Sequence, residues 1–157
     1  MRPGTENLPG IYGFVLAAEK AVGALEENRR CAVAAMSSFI GELERLPGVT
    51  LIPAARPAAG TAGDYSPYIL NISVPPIPGE VLVRVLEEEG LIVSTGSACS
   101  SRKKDRFRVL ENMGVPRRTA FSALRVSTGP GVGGAELAAL AAALDRRIPE
   151  LLKASGD

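Results

Sequence analysis

Cys99 is the residue whose surroundings in this sequence best suit nucleophilic chemistry. It lies in a segment of small residues that runs from Ser94 to Ser101, which would leave its sulfur accessible to a substrate or to another protein. The basic run of Arg102, Lys103 and Lys104 follows, and nearby positive charge favours the thiolate, the nucleophilic form of cysteine. Local composition leaves two interpretations open, a reactive thiol and a surface cysteine in a flexible loop.

Arg125 is the candidate for binding a carboxylate. On a predicted strand it alternates with Leu124 and Val126, so its side chain is expected on the face opposite these apolar neighbours. A planar guanidinium suits bidentate binding of a carboxylate, and the alternative is a solvated strand charge. Asn71, on the polar face of another predicted strand, either helps to shape the site or satisfies nearby backbone groups.

Four other features have ordinary structural interpretations. Thr5 by itself is typical of a turn or a helix cap, and Glu80 in a first helical turn interacts favourably with the helix dipole. Cys31, between Arg30 and Ala32 on a predicted helix, is expected to be a small packing residue rather than a reactive one. The glycine-rich stretch at 129–134 fits a dinucleotide fingerprint in spacing, but no strand is predicted after the helix that follows, so we interpret it as a strand-to-helix turn.

Composition excludes several classes of function. The chain has no histidine, which excludes Ser-His-Asp and Cys-His catalysis within it and leaves no metal site to expect. Its formal net charge of +1 argues against nucleic-acid binding through phosphate neutralisation. No apolar run reaches the roughly 20 residues that span a bilayer, and the N-terminal residues do not resemble a signal peptide. We therefore expect a cytoplasmic protein with reduced cysteines and no membrane partner.

The 157 residues are expected to form a single domain over 1–157 in which helices cover a small sheet. In the strand predicted over 68–74, Tyr68, Leu70, Ile72 and Val74 share one face. An apolar stripe on the first helix, which includes Phe14 and Val22, is expected to need a cover. The predicted elements are helices at 11–28, 30–46, 79–89, 107–113 and 135–152, strands at 49–53, 68–74, 91–93 and 122–127, and loops at 54–67 and 94–105.

Four segments resemble, in order, the C-terminal half of the cysteine desulfurases, the class V aminotransferase-like enzymes that depend on pyridoxal phosphate. These segments are 68–74, 78–82, 90–101 and 124–129, and 2–11 resembles the part that follows the cofactor-binding lysine in that family. The resemblance implies an α/β (α+β) fold, the small C-terminal domain of an aspartate-aminotransferase-like enzyme, with a mostly antiparallel sheet.

The resemblance also implies a function and roles for particular residues. In that family a loop cysteine takes the sulfur of L-cysteine as a persulfide, alanine is released, and the sulfur passes to iron–sulfur scaffold proteins or to thiolation proteins. Cys99 matches the persulfide-bearing cysteine, Arg125 the arginine that binds the substrate carboxylate, and Thr5 a threonine that reaches the cofactor phosphate of a neighbouring subunit. Asn71 is expected beside the substrate, and the first helices are expected to associate in a homo- or hetero-oligomer.

The family's cofactor lysine belongs to an N-terminal domain, and none of the four lysines in this sequence matches it. Pyridoxal phosphate is therefore expected only if another chain supplies a lysine-bearing domain. Three interpretations follow: a desulfurase part that works with such a partner, a non-catalytic persulfide carrier, and an interaction module without chemistry. Cys99 and Arg125 together favour the first, because a carrier does not need a carboxylate-binding arginine.

Overall fold

The computed structural model describes residues 4–56, 65–95 and 107–154. Within these ranges six helices and three strands follow one another along the chain. They are α1 (Leu8–Gly23), α2 (Leu25–Leu43), β1 (Thr50–Ile52), β2 (Ile69–Ser73), α3 (Gly79–Glu88), α4 (Arg108–Asn112), α5 (Arg117–Phe121), β3 (Ala123–Ser127) and α6 (Gly134–Ala154).

The three strands form an antiparallel sheet in the order β1-β2-β3. This confirms the predicted small antiparallel sheet covered by helices. The register pairs Ile52 with Asn71 and Asn71 with Arg125, so these three residues form a row across the sheet. The strand predicted over 91–93 is wrong: only an isolated bridge between Ser94 and Arg125 forms there.

One face of the sheet, the inner face, carries the hydrophobic core. Leu70, Ile72, Leu124 and Val126 point to this face and are buried, as their alternation predicted. Helices α2 and α6 pack against each other, and α3 packs against α6 and β3. Their contributions to the same core are Met36, Phe39, Ile40, Leu43, Leu82, Leu86, Leu137, Leu140, Ala141, Ala143, Leu144 and Ile148.

The first two helices differ from their predicted bounds. The break lies at Ala24 rather than near residue 29, and the two helix axes are bent by 54° there. Helix α1 contacts α2 but buries none of its residues, and Phe14 and Val22 are 74% and 71% exposed. The apolar stripe on α1 therefore has no cover within the described residues.

Two glycines explain where α3 begins and where it ends. Gly79 is buried, and a β-carbon there would clash with the backbone carbonyl of Ala123, so α3 can approach β3 only with a glycine at this position. Gly90 ends the helix with a φ of 77°, a conformation that favours glycine. Helix α5, by contrast, was not predicted, because its five residues are too short to show helical periodicity.

Considered singly, none of the helices in the described ranges has the length and apolar character to cross a membrane. Taken together, α1 and α2 are long and apolar enough to do so, but the two helices are bent by 54° relative to each other.

Candidate functional site

The face of the sheet opposite the core, here called the outer face, carries the candidate site. Directly paired residues of antiparallel strands point to the same face, so the side chains of Asn71 and Arg125 lie side by side there. Both are half-buried. Two residues predicted from separate strands are thus brought together on one face.

The guanidinium of Arg125 has a hydrogen-bond donor without an acceptor among the described residues. Its Nε is buried and has no hydrogen-bond partner among the described residues, and no described carboxylate forms an ion pair with it. A buried donor without a partner costs free energy, which a bound acceptor would recover. A carboxylate fits such a donor, since it can accept two parallel hydrogen bonds from one guanidinium.

The backbone of Arg125 also holds the start of the predicted sulfur loop. Its N–H donates to the Ser94 carbonyl at 2.6 Å, and the Ser94 N–H donates to the Arg125 carbonyl at 3.2 Å. Cys99 follows Ser94 by five residues, and with Arg102, Lys103 and Lys104 it lies outside the described residues. The assignment of Cys99 therefore stays a prediction.

The chain is anchored again at residue 107. The rings of Phe107 and Phe121 pack edge to face with centroids 6.2 Å apart, and Phe121 ends α5 directly before β3. The hydroxyl of Ser73 donates to the Thr119 carbonyl at 2.8 Å and ties α5 to the outer face. Ser73 is two residues after Asn71 on β2 and so shares the outer face, and this contact with α5 explains why it is nevertheless buried.

Arg56 is a buried cation that sequence reasoning missed. It is 6% exposed and donates to the carbonyls of Ile69 and Ser66 at 2.6 and 2.9 Å, while its guanidinium lies 5.4 Å from the centre of the Tyr65 ring. Burial lowers the pKa of Arg56, and the charge interaction with Tyr65 opposes that shift. An arginine in a predicted Pro- and Gly-rich loop gave no signal of this role, which is to fasten that segment to the start of β2.

The remaining candidates lie elsewhere. Thr5 is exposed ahead of α1, and no described contact brings it to Arg125 or Asn71. Glu80 lies in the first turn of α3, as predicted.

The expectation that Cys31 is a packing residue is wrong, because Cys31 is exposed on α2. Its thiol donates to a carboxylate oxygen of Glu27 at 3.3 Å. That hydrogen bond raises the pKa of Cys31, so little thiolate forms there at neutral pH.

The described residues do not fit pyridoxal phosphate by themselves. Lys20 and Lys153, the lysines within them, lie in α1, which packs on α2, and in α6, which packs on α2 and α3. The cofactor's aldehyde requires a lysine amine, so holding it would need a lysine from outside these residues. No group of three metal-ligating side chains occurs in the described ranges either.

Comparison with known proteins gives a consistent set of relatives. The chain is 34% identical to "Cysteine desulfurase IscS" of Methanosarcina thermophila over 128 residues, covering 82% of this chain and 30% of that protein. It is 35% identical to a "Cysteine desulfurase" of Sinorhizobium fredii over 131 residues, covering 80% of this chain and 31% of that one. The chain thus spans about a third of the length of the curated relatives that it matches.

Solved structures agree in fold. A "NIFS-LIKE PROTEIN" matches with a TM-score of 0.70 at 30% identity, covering 97% of this chain and 35% of that one. A NifS-like protein from Rickettsia africae matches with a TM-score of 0.73 at 23% identity over 95% of this chain and 36% of that one, which shows the fold alone. The model of the family described as "Aminotransferase class-V" matches residues 1–139. This chain therefore belongs to the class-V aminotransferase family, and its homologues there include cysteine desulfurases.

Proposed function

We propose that this chain is the C-terminal part of a cysteine desulfurase, which moves sulfur from L-cysteine to an acceptor protein through a persulfide on Cys99. The observation that carries the proposal is the Arg125 guanidinium, half-buried beside Asn71 with its Nε unpartnered. Homology to cysteine desulfurases over about four-fifths of the chain supports it.

Arg125 would bind the substrate carboxylate and fix the orientation of the bound amino acid. Asn71, next to it on β2, would border the same site. Because Ser94 is hydrogen-bonded to the backbone of Arg125, the chain that leads to Cys99 starts at the proposed carboxylate site. Five residues span at most about 18 Å, so the thiol is covalently tied within that distance of Ser94.

The proposed sulfur transfer balances without an added oxidant. The Cys99 thiolate forms a bond to the sulfur of L-cysteine, the substrate C–S bond breaks, and the carbon takes up a proton to give alanine. An acceptor thiol then attacks the persulfide, takes its outer sulfur and restores the Cys99 thiol. Pyridoxal phosphate, held by a lysine outside the described residues, supplies the electron sink for C–S cleavage.

The partners in this proposal are L-cysteine, a lysine-bearing domain and a sulfur acceptor such as an iron–sulfur scaffold or thiolation protein. Thr5 is proposed to reach the cofactor phosphate of a neighbouring subunit, and the complex is proposed to be a cytoplasmic oligomer. A non-catalytic persulfide carrier is less well supported, since it has no use for a half-buried guanidinium whose Nε lacks a partner among the described residues.

The direct test mixes the full chain with a desulfurase lysine domain, L-cysteine and pyridoxal phosphate. We expect alanine release together with one extra sulfur atom on the Cys99 peptide by mass spectrometry. Cys31 in the same digest is the internal control, and Cys99→Ser should lose both products. A complemented sample that releases no alanine and leaves Cys99 unmodified would refute the proposal.

The chain alone is expected to bind pyridoxal phosphate only weakly, because its described lysines lie away from the outer face. A stable absorbance band of a lysine-bound cofactor, fixed to one lysine by borohydride, would contradict this expectation. Thiol reagents should label Cys99 much faster than Cys31, because Glu27 raises the pKa of Cys31. Equal labelling rates in the folded protein would count against an activated Cys99.

A further inference from the structure

The hairpin of α4 and α5 exposes an apolar surface with an arginine rim. Val109, Met113 and Phe121 are 69%, 53% and 47% exposed. Val109 and Met113 are four residues apart and share a helical face, and Phe121 joins them through its contact with Phe107, the residue before α4. We name this set the hairpin surface and include in it the exposed Arg108, Arg117 and Arg118.

The arginines of the hairpin surface border its apolar centre. Arg117 and Arg118 precede Phe121 by four and three residues, so they are its neighbours on α5, and the exposed Arg108 is the first residue of α4. No ion pair joins any of them to a carboxylate among the residues that the structure describes. Their charge is therefore available to a partner.

The charge of the whole chain is unevenly distributed around this hairpin. Positions 107–121 hold three basic residues and one acidic residue, whereas the rest of the chain holds 15 basic and 16 acidic ones. A nearly neutral protein thus presents a local excess of positive charge. Such an excess steers association with an acidic partner.

The hairpin surface is firmly attached to the proposed site. The hydrogen bond from Ser73 to Thr119 fastens α5 to the outer face, and Ala120 is fully buried beneath it. Helix α5 leads directly into β3, which carries Arg125. A protein bound to this surface would stand beside the proposed sulfur chemistry.

We propose that the hairpin surface docks an acidic protein that has an apolar patch at the centre of its contact, and that this protein is the sulfur acceptor. The identification of the partner as the acceptor rests on the proposed function; the docking does not. Exposed Phe and Met beside Arg is the composition enriched at protein interfaces. The apolar centre favours a protein over a nucleic acid, which would contact the arginines through phosphates.

The test measures binding of a synthetic amphipathic peptide, with glutamates around a Leu and Phe stripe, to the full chain by fluorescence anisotropy. The variant carries Arg108→Glu, Arg117→Glu and Arg118→Glu together. The matched control carries Arg29→Glu, Arg45→Glu and Arg84→Glu, three exposed arginines away from the hairpin that make the same change in net charge. Circular dichroism and thermal melting would verify that both variants fold.

We expect the hairpin variant to bind the peptide at least about tenfold more weakly, and the control to change affinity by less than about twofold. Val109→Ser with Met113→Ser should also weaken binding, and should do so in high salt, because salt does not screen apolar contacts. Equal affinities of the two arginine variants would overturn the proposal.

Two further measurements distinguish other occupants. Tighter binding of transfer RNA than of the peptide, lost in the hairpin variant alone, would overturn the assignment to a protein partner. Sedimentation that shows self-association lost in the same variant would instead assign the surface to a second copy of this chain. Peptide binding without any Cys99 persulfide would leave the docking intact and refute only the proposed function.

Discussion

The two faces of the sheet are built from the same three strands, but the side chains on them differ in what they contact. The inner face carries apolar residues that form one hydrophobic core with residues of helices α2, α3 and α6. The outer face places Asn71 and Arg125 side by side and leaves a buried guanidinium nitrogen without a described partner. One face is therefore filled by apolar packing, while the other keeps a buried donor that has no partner among the described residues.

The largest difference between the faces should appear in stability. Leu124→Ala on the inner face should lower the free energy of unfolding by about 2–5 kcal/mol, because it leaves a cavity under a fully buried side chain. Its neighbour Arg125→Gln, on the outer face, should change that free energy by less than about 1 kcal/mol, since it breaks no described side-chain hydrogen bond. Urea unfolding of both variants would check this, and equal losses would contradict the division between the faces.

Activity, unlike stability, should be sensitive to the substitution on the outer face. In a complemented complex, Arg125→Gln should lower kcat/KM by about 10- to 100-fold, with most of the effect in KM, because a charge-assisted contact to the substrate carboxylate is lost. Arg84→Gln on the exposed surface of α3 is the matched control and should leave kcat/KM unchanged. A similar loss from both substitutions would remove the carboxylate role from Arg125.

The close contact between α3 and β3 gives an effect of intermediate size. Gly79→Ala should destabilise the fold by about 1–3 kcal/mol, because its β-carbon would clash with the Ala123 carbonyl. Gly41→Ala, in the last turn of α2 with nothing within 4 Å of an added β-carbon, should stabilise it by up to about 0.5–1 kcal/mol. The melting temperature should therefore fall in Gly79→Ala and rise in Gly41→Ala. A shift of both melting temperatures in the same direction would contradict the close packing of α3 on β3.

A smaller effect is expected at Ser73, where the outer face meets α5. Ser73→Ala should cost about 1 kcal/mol, because the Thr119 carbonyl loses its donor. Ser127→Ala, exposed at the other end of the same face, should change stability by less than about 0.5 kcal/mol. Hydrogen exchange in α5 should quicken only in the first variant.

The smallest predicted effect concerns pH. Hydrogen bonds from Arg147 and Arg146 hold the pKa of Glu89 below its ordinary value of 4.5, and they join the C-terminal end of α3 to α6. A carboxyl whose pKa is lower in the folded protein contributes stability above its unfolded pKa and loses it as pH falls through the folded pKa. In Glu89→Gln the free energy of unfolding should therefore fall less steeply as the pH drops below about 5 than it does in the parent protein. Near pH 7 the free energy of unfolding should depend on pH in the same way in both proteins.

Alternation along the strands was sufficient to predict the inner face. The apolar side chains of 68–74 and 122–127 follow the period of two that a half-buried strand requires, and the register then places Asn71 beside Arg125. Sequence alone could not place the break between α1 and α2, because the apolar pattern continues through Ala24 with no proline to interrupt it. It also could not reveal Arg56, whose acceptors Ser66 and Ile69 lie 10 and 13 residues away.

The anchoring of residues 94 and 107 has a consequence for how chain length can vary. Ser94 is bonded to Arg125 and Phe107 packs on Phe121, so the intervening stretch begins and ends at positions that β3 and α5 fix. Closing a longer stretch between fixed ends costs little, about 0.6 kcal/mol for each doubling of its length. Insertions and deletions between these two residues can thus be accommodated without disturbing the core, whereas an insertion within 122–127 would shift the pairing of β3 and turn Arg125 toward the inner face.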